Sequence, residues 1–225
     1  HAVKRIGIVG GIGPESTIEY YRLLMAAGHT DVTICSVDVQ KLLDWMRRGE
    51  LDDVATYLST AVAQLAAGGA NLALLAANTP HIVFDQVASR ATIPMVSIVE
   101  AACAHVASLG LRRAALLGTR YTMEGTFYPE VFARRGLGLV IPPEPDRTLV
   151  HDRYLQELLK NVFKDATRDE LHGVIERLVQ QQGVEAVILG GTELPLILKG
   201  DSRAGAVLID TTKVHVTAAL AMAAE

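Results

Sequence analysis

Short apolar segments alternate with longer amphipathic segments along almost the whole chain, and this alternation limits the possible folds most strongly. The apolar segments have the length of buried strands, and the segments between them have helical spacing. Strands are predicted at 6–9, 32–37, 72–76, 93–96, 114–117, 138–141, 186–189 and 206–209. Helices are predicted at 17–27, 51–67, 98–109, 123–135, 151–163 and 168–182. Such repetition predicts an α/β fold with parallel sheets flanked by helices.

The sequence also contains a weak internal repeat. The segment that begins at Val9 and Gly10 resembles the segment that begins at Leu117 and Gly118, because each continues through a glycine-containing turn and a threonine to two adjacent aromatic residues. We therefore predict two pseudo-symmetric lobes with a cleft between them. The first lobe is expected to comprise 1–97 plus 211–225, and the second 98–210.

Composition narrows the class of partner. The 225 residues are 50% hydrophobic, which suffices for a large buried core, and the formal net charge of -4 provides no basic surface for nucleic acid. No apolar segment is long enough to span a membrane, and a strand-like run begins at Ile6, which leaves no room for a signal peptide. The expectation is a cytoplasmic protein whose partner is a small molecule, without nucleic acid or membrane.

The positions of the two cysteines and the absence of metal-binding motifs argue against thiol chemistry and against a metal site. Cys35 lies in an apolar strand and Cys103 among alanines in a predicted helix, so both are expected to be buried and inert, with no disulfide. Spacings typical of metal ligands, such as Cys-x-x-Cys and His-Glu-x-x-His, do not occur. The sequence therefore predicts no metal site.

Two turns stand out as candidate parts of a site. The segments 75–81 (Leu-Ala-Ala-Asn-Thr-Pro-His) and 189–195 (Leu-Gly-Gly-Thr-Glu-Leu-Pro) each follow an apolar strand and contain a threonine before a proline. Ligands of parallel α/β sheets bind at the carboxyl ends of the strands, where both turns are placed. We interpret them as the two halves of one site.

The glycine-rich segment 10–17 (Gly-Gly-Ile-Gly-Pro-Glu-Ser-Thr) is a third candidate. It departs from the dinucleotide-binding pattern because Ser16 stands at the third glycine position, so no nicotinamide cofactor is predicted. The segment is better explained as a turn into a helix, with Ser16 or Thr17 as the capping residue. The free amides of such a helix start can receive a carboxylate.

These three segments together resemble the aspartate/glutamate racemase family, part of the Asp/Glu/hydantoin racemase superfamily. Further matches are Ser97-Ile98-Val99-Glu100, Gly118-Thr119-Arg120 and Asp210-Thr211-Thr212. In that family a Cys-Asn-Thr turn and a Gly-Cys-Thr-Glu turn supply one cysteine each, and here Ala77 and Gly191 stand at those positions. The resemblance implies a two-lobed isomerase that needs no cofactor, pyridoxal phosphate included, and that forms a homodimer.

The resemblance also implies a set of ligand contacts for a small carboxylate or amino acid. Asn78, Thr79 and Thr192 are expected to hold its carboxylate and amino groups, or alternatively to cap their own helices. The further substrate-binding candidates are Gly11, Thr17, Arg47, Thr119, His151 and Gly191. For Arg47 the alternative is a solvated charge pair with a surface acid, and for His151 a place on the surface.

Racemisation by the family requires one acid/base group on each face of the substrate's α-carbon, and Ala77 and Gly191 cannot provide them. The best replacements are His81, whose imidazole titrates near neutrality, and Glu193, whose carboxylate follows the second turn. A packed or capping histidine and a structural glutamate are the alternatives. Asp38, Glu15 and His151 are secondary candidates.

The sequence leaves the reaction open. The first hypothesis is a cofactor-independent enzyme that transfers a proton at the carbon next to a carboxylate of a small, acidic amino or dicarboxylic acid. The alternatives are an inactive carboxylate-binding member, an inactivated variant of a racemase, and a lyase or decarboxylase of the superfamily. Replacing Ala77 and Gly191 by cysteine is expected to restore racemase activity if the backbone at 191 accepts a side chain.

Overall fold

The computed structural model describes residues 4–225, which form two compact units. The first unit comprises the chain up to Ile98 together with His215–Glu225, and the second comprises Val99–Val214. The boundaries expected from the sequence lie one and four residues before these divisions.

The helices and strands follow one another in the alternating order expected of an α/β chain. In sequence they are β1 (Ile6–Gly10), α1 (Pro14–Ala26), β2 (Val32–Ser36), α2 (Val39–Arg48), α3 (Leu51–Ala67), β3 (Leu72–Leu75), α4 (Phe84–Arg90), β4 (Met95–Val96), α5 (Ile98–Ser108), β5 (Arg113–Gly118), α6 (Arg120–Glu124), α7 (Phe127–Arg134), β6 (Gly138–Val140), α8 (Asp146–Gln156), α9 (Asp165–Gln182), β7 (Ala186–Gly190), α10 (Leu194–Ile197), β8 (Ser202–Arg203), β9 (Ala206–Asp210) and α11 (Thr211–Ala224). Short 3-10 helices cover Thr79–Val83 and Leu158–Lys160.

The sheet of the first unit is fully parallel, in the order β2-β1-β3-β4. β1 and β3 lie in its centre, and all nine of their side chains or glycine positions are buried, which explains why both strands read as unbroken apolar runs. The core beside them is made of aliphatic residues of the sheet and of Tyr20, Leu24, Val216, Ala219 and Ala223 from α1 and α11. Parallel pairing aligns the ends of β1, β2 and β3 at one edge.

The sheet of the second unit repeats this arrangement, in the order β6-β5-β7-β9 with the short β8 added antiparallel to β9. Within each sheet the first strand of the unit is in the interior, the second is at the edge beside it, and the third is on its other side. The internal repeat in the sequence thus corresponds to the same order of the first three strands in the sheets of both units. Gly118 and Gly190 pair with each other where β5 and β7 end.

The predicted helices need correction in three places. Val39–Arg48, where no helix is predicted, is helix α2, whose start is capped by the Asp38 carboxylate and whose end is fixed by Gly49 at φ 71°. The helix predicted at 123–135 is divided into α6 and α7 at Gly125, whose backbone is extended. The helix predicted at 151–163 lies instead at Asp146–Gln156.

The two cysteines are free thiols in different environments. Cys103 is fully buried in α5, as expected, but Cys35 lies on the edge strand β2 and is partly exposed, which corrects the expectation that both are buried. The Cys35 thiol contacts Gln64 Oε1 at 3.1 Å. Within residues 4–225, none of the helices combines the length and the apolar character needed to cross a membrane.

Candidate active site

The loop after β1 is shaped by glycine and threonine. Gly11 has φ +87°, and a Cβ placed on it would lie 2.4 Å from the Val37 carbonyl oxygen, so the position accepts only glycine. The Gly11 amide donates to Thr17 Oγ1 at 2.9 Å. Gly13, and neither Ser16 nor Thr17, is the N-cap residue of α1, because the helix begins at Pro14 and both residues lie inside its first turn.

The turn after β3 lies at the same edge of the first unit's sheet. The Ala76 amide donates to the Val9 carbonyl oxygen at 3.0 Å, which keeps this turn beside the loop after β1. Asn78 is 1% exposed, and Thr79 begins the 3-10 helix that follows. The first unit therefore brings together four of the predicted contacts, Gly11, Thr17, Asn78 and Thr79. We call these four residues the first-unit cluster.

His81, expected to act as a base, is bound to the backbone through both ring nitrogens. Nδ1 lies 2.8 Å from the Ala77 carbonyl oxygen, and Nε2 accepts from the Ile98 amide at 3.1 Å. Since a carbonyl accepts and an amide donates, the ring is a neutral imidazole with its proton on Nδ1. His81 thus fixes the turn around Ala77 to the start of α5.

The surroundings of His81 keep it uncharged. Its ring stacks on Phe84 and meets the ring of His215 edge-on, with centroids 5.9 Å apart. Burial, followed by the neighbouring His215, lowers the pKa of His81 to about 3. Neither nitrogen is available to take a proton from a substrate in this arrangement, so the structure favours a positioning role over the catalytic role expected from the sequence.

Arg47 lies apart from the first-unit cluster. It is in the last turn of α2, its side chain is 64% exposed, and it pairs with Asp44 one turn earlier on the same helix. This is the arrangement of a solvated surface pair, the alternative that the sequence left open. The structure gives no support to Arg47 as a carboxylate clamp.

The second unit gathers another group of predicted residues where β5 ends. Thr119 is 4% exposed and is the N-cap residue of α6, its hydroxyl accepting from the Thr122 amide at 3.4 Å. His151 on α8 is half-buried, and its Nδ1 accepts from the Arg120 amide at 2.9 Å. Burial and then the Arg120 charge lower the pKa of His151. Thr119 and His151 therefore both secure the start of α6.

Gly191, at the second cysteine position of the resemblance, faces the aromatic ring of Tyr154. A Cβ built on Gly191 would lie 2.2 Å from Tyr154 Cε2 and 2.6 Å from the phenol oxygen. The backbone of Gly191 is outside the left-handed region, so the ring, and not backbone strain, excludes a side chain there. From the sequence the backbone at 191 was expected to be the obstacle to a cysteine, and the structure shows that the obstacle is the Tyr154 ring.

Tyr154, Thr192 and Glu193 form a buried polar network. The phenol of Tyr154 donates to the Glu193 carboxylate, the Glu193 amide reaches the phenol oxygen at 3.3 Å, and Thr192 Oγ1 lies 3.4 Å from Glu193 Oε2. The three residues are 5%, 2% and 2% exposed. Together with Gly191 we call them the second-unit cluster. A buried carboxylate next to a transferable phenol proton is suited to acid/base chemistry.

Two site residues escaped prediction from the sequence. Tyr154 follows His151 by three positions on α8, which places both on one helix face, and this spacing was the available signal. His215, whose Nδ1 lies 2.6 Å from the Tyr20 hydroxyl and whose Nε2 lies 2.8 Å from the Val96 carbonyl oxygen, could not be found because its partners are distant in sequence. Within residues 4–225, no group of three or more His, Cys, Asp or Glu residues could hold a metal ion.

Comparison with known structures places these features in a family. The structure of a candidate Asp/Glu racemase from Yersinia pestis is 30% identical, with a TM-score of 0.86 over 99% of this chain and 100% of that one. An aspartate racemase homologue from Pyrococcus horikoshii OT3 is 31% identical, with a TM-score of 0.81 over 99% of this chain and 100% of that one. Both thus share the fold over their full lengths.

Sequence comparison agrees. The broad specificity amino-acid racemase RacX of Bacillus subtilis is 25% identical over 142 residues, which are 58% of this chain and 61% of that protein. The family model described as Asp/Glu/Hydantoin racemase matches residues 9–219. That range contains both clusters and all but the ends of the described fold. The chain belongs to the Asp/Glu/hydantoin racemase family, a family of isomerase-type enzymes.

Proposed function

We propose that this protein transfers protons at the carbon next to the carboxylate of a small, acidic amino or dicarboxylic acid, without a cofactor and without the family's two cysteines. The observation that carries the proposal is the second-unit cluster. There a carboxylate, Glu193, is buried two residues after Gly191 and hydrogen-bonded to a phenol. An ionisable group thus adjoins a position that the resemblance assigns to a catalytic cysteine.

The first-unit cluster supports the choice of substrate class. Asn78 and Thr79 offer uncharged donors and acceptors, and the amides at the start of α1 adjoin the loop held by Gly11 and Thr17. Uncharged donors and helix-start amides complement a carboxylate without requiring a cation. We therefore assign recognition of the α-carboxylate to these residues.

Exchange of the α-proton in deuterium oxide tests the proposal. Proton NMR would follow the α-proton signals of D- and L-aspartate, D- and L-glutamate, and their close dicarboxylic analogues with the purified protein. Loss of the signal at a rate proportional to enzyme concentration is the expected result. If the whole panel shows no exchange above the protein-free rate, the proposed activity is wrong.

A second candidate function is ligand binding without catalysis. The specific observation in its favour is that Ala77 has no ionisable group and that the backbone occupies both nitrogens of His81. In that case the same acids would raise the melting temperature of the protein while their α-protons stayed in place. The two measurements made on one panel separate the functions.

The assembly and location of the protein are also proposals. We propose a homodimer in the cytoplasm that works without pyridoxal phosphate. Sedimentation equilibrium would give the mass of the assembly. Activity that is unchanged after exhaustive treatment with a carbonyl-trapping reagent would support the absence of a pyridoxal cofactor, and loss of activity would contradict it.

A further inference from the structure

Tyr154 occupies the space that a side chain at position 191 would need. The built Cβ of residue 191 falls 2.2 to 2.6 Å from the ring atoms Cε2 and Cζ and from the phenol oxygen. The phenol oxygen is therefore next to the place where a cysteine at 191 would start its side chain. Gly191 and Tyr154 fit together because the glycine has no Cβ.

The hydrogen bonds of the phenol connect it to a base. Its proton is directed to the Glu193 carboxylate, and that residue's own amide approaches the phenol oxygen. Burial, followed by the Glu193 charge, raises the pKa of Tyr154 well above its usual value. At neutral pH Tyr154 is therefore a neutral phenol hydrogen-bonded to Glu193, and it gives up its proton only when another proton reaches its oxygen.

We propose that Tyr154 is the group that exchanges a proton with the α-carbon of the substrate, with Glu193 as the base that acts through it. The inference rests on the proposed function and identifies how that function is carried out without a thiol. The phenol stands beside the second cysteine position of the resemblance, and Glu193 receives the proton that the phenol gives up.

The transfer balances without any further reagent. As the Cα–H bond breaks, its electron pair is delocalised into the substrate carboxylate and its proton bonds to the phenol oxygen. At the same time the original phenol proton moves to the Glu193 carboxylate. The products are the enediolate of the substrate, a neutral tyrosine and a neutral Glu193, and the return step reverses each of these transfers.

A relay at one position delivers protons to one face of the substrate. Deuterium enters when the proton that the phenol has taken from the substrate is exchanged for solvent deuterium before the return step. We therefore expect α-deuterium to appear in a substrate that keeps its configuration. An opposite enantiomer that forms as fast as deuterium enters would require a donor on each face and would overturn the relay.

The test uses Tyr154→Phe, Glu193→Gln and the double variant on the full chain. The substrate is whichever of D- or L-aspartate and D- or L-glutamate the unmodified protein exchanges fastest. Each single variant should lower the exchange rate by about 100-fold, and the double variant should be no slower than either, since both substitutions interrupt the same relay. Tyr128→Phe, which removes the hydroxyl of another buried tyrosine in the same unit, is the matched control and should keep the rate.

Three results distinguish a failure of the Tyr154–Glu193 relay from a failure of the proposed function. No exchange by the unmodified protein overturns the proposed function and the relay with it. Exchange by the unmodified protein that Tyr154→Phe retains overturns the relay alone, as does a double variant whose loss equals the product of the single losses. The melting temperature of each variant, with and without the same amino acid, checks that the loss reflects chemistry and not unfolding or failed binding.

Discussion

The turns after β3 and β7 hold corresponding places in their own sheets, yet they use their ionisable side chains differently. In the first, the imidazole of His81 is hydrogen-bonded to backbone atoms on both sides and serves the scaffold. In the second, the carboxylate of Glu193 receives the proton of the Tyr154 phenol. A common strand order therefore fixes where a side chain is presented, and the partners of that side chain determine whether it can react.

The buried titratable side chains of the two units also differ in how burial affects proton transfer. His81 and His215 are buried as neutral rings, so each has lost the ability to titrate near pH 7. Tyr154 and Glu193 are buried as a hydrogen-bonded pair, and a proton can move from the phenol to the carboxylate without changing the net charge of the pair. Burial thus inactivates the first group and organises the second.

The largest effect that we expect from this difference is a loss of stability in mild acid. Burial lowers the folded-state pKa of His81 to about 3 and of His215 to about 4, from 6.5 in the unfolded chain. Because the unfolded chain then binds more protons, the stabilisation is complete above pH 6.5 and declines as the pH falls towards the folded values. At pH 5 each ring accounts for a loss of roughly 2 kcal/mol in the free energy of unfolding.

Urea unfolding at pH 7.5, 6.5, 5.5 and 5.0 measures this loss. The raised pKa of Asp210, which burial causes, acts in the opposite direction, because the folded chain then holds the Asp210 proton more firmly than the unfolded chain does. A free energy of unfolding that stays constant from pH 7.5 to 5.0 would show that the two rings are not held neutral in the folded state.

The next effect concerns the scaffold role of His81. We expect His81→Ala to lower the free energy of unfolding by about 3 kcal/mol, because it opens a cavity and leaves the buried Ile98 amide without its acceptor. His105→Ala, at an exposed histidine of α5, is the control and should change stability by less than about 0.5 kcal/mol. If His81→Ala changed stability little and abolished exchange of the substrate's α-proton, His81 would be a catalytic base and not a scaffold residue.

The sequence was sufficient for the fold because the fold depends on local pattern. Buried strands such as β1 and β3 appear as apolar runs, and the turns after them are recognisable from residues close together in the chain. Helix α2 was missed although its signals are local: Asp38 caps it, Gly49 ends it, and the buried Leu42 and Met46 lie one helical turn apart. Boundaries near Gly125 depend on packing and were misplaced for that reason.

The candidate site was less accessible to prediction, because its chemistry depends on contacts across long sequence distances. Tyr154 and Glu193 are 39 residues apart, and no spacing rule connects them. His81 was assigned as a base from its residue type and its place in the turn. Its actual state follows from the Ile98 amide and from His215, which sequence proximity could not reveal. The residue types were therefore identifiable, and their partners were not.

Cysteine substitutions at the two turns should have a smaller effect on stability than His81→Ala, and they test whether the two turns differ in the space they leave for a side chain. Ala77→Cys should change stability little, since Ala77 already has a Cβ. Gly191→Cys should destabilise the protein by about 2 kcal/mol, because its Cβ meets the Tyr154 ring. Tyr154→Ala should therefore destabilise the Gly191→Cys protein less than it destabilises the unmodified protein, which thermal or urea unfolding of Gly191→Cys, Tyr154→Ala and the combined variant would show.

The same variants test what is needed to restore racemase activity. Ala77→Cys with Gly191→Cys leaves the ring of Tyr154 against the second thiol, so we expect racemisation of aspartate or glutamate only when Tyr154→Ala is added. Measurable inversion by the double cysteine variant with Tyr154 intact would indicate that the ring moves aside readily. In that event the close fit of Gly191 and Tyr154 would not explain the absence of a cysteine.

The smallest effect is expected at Arg47, which tests whether the first unit contributes a charge to ligand recognition. Its guanidinium is exposed and paired with Asp44, and such surface pairs contribute little. Arg47→Ala should therefore change the free energy of unfolding by less than about 0.5 kcal/mol and leave the affinity for aspartate or glutamate within about twofold. Calorimetric titration with glutamate and with alanine would detect a clamp on the second carboxylate. A tenfold or greater loss for glutamate alone would show that α2 presents Arg47 to the ligand, and the first unit would then supply a charge as well as uncharged donors.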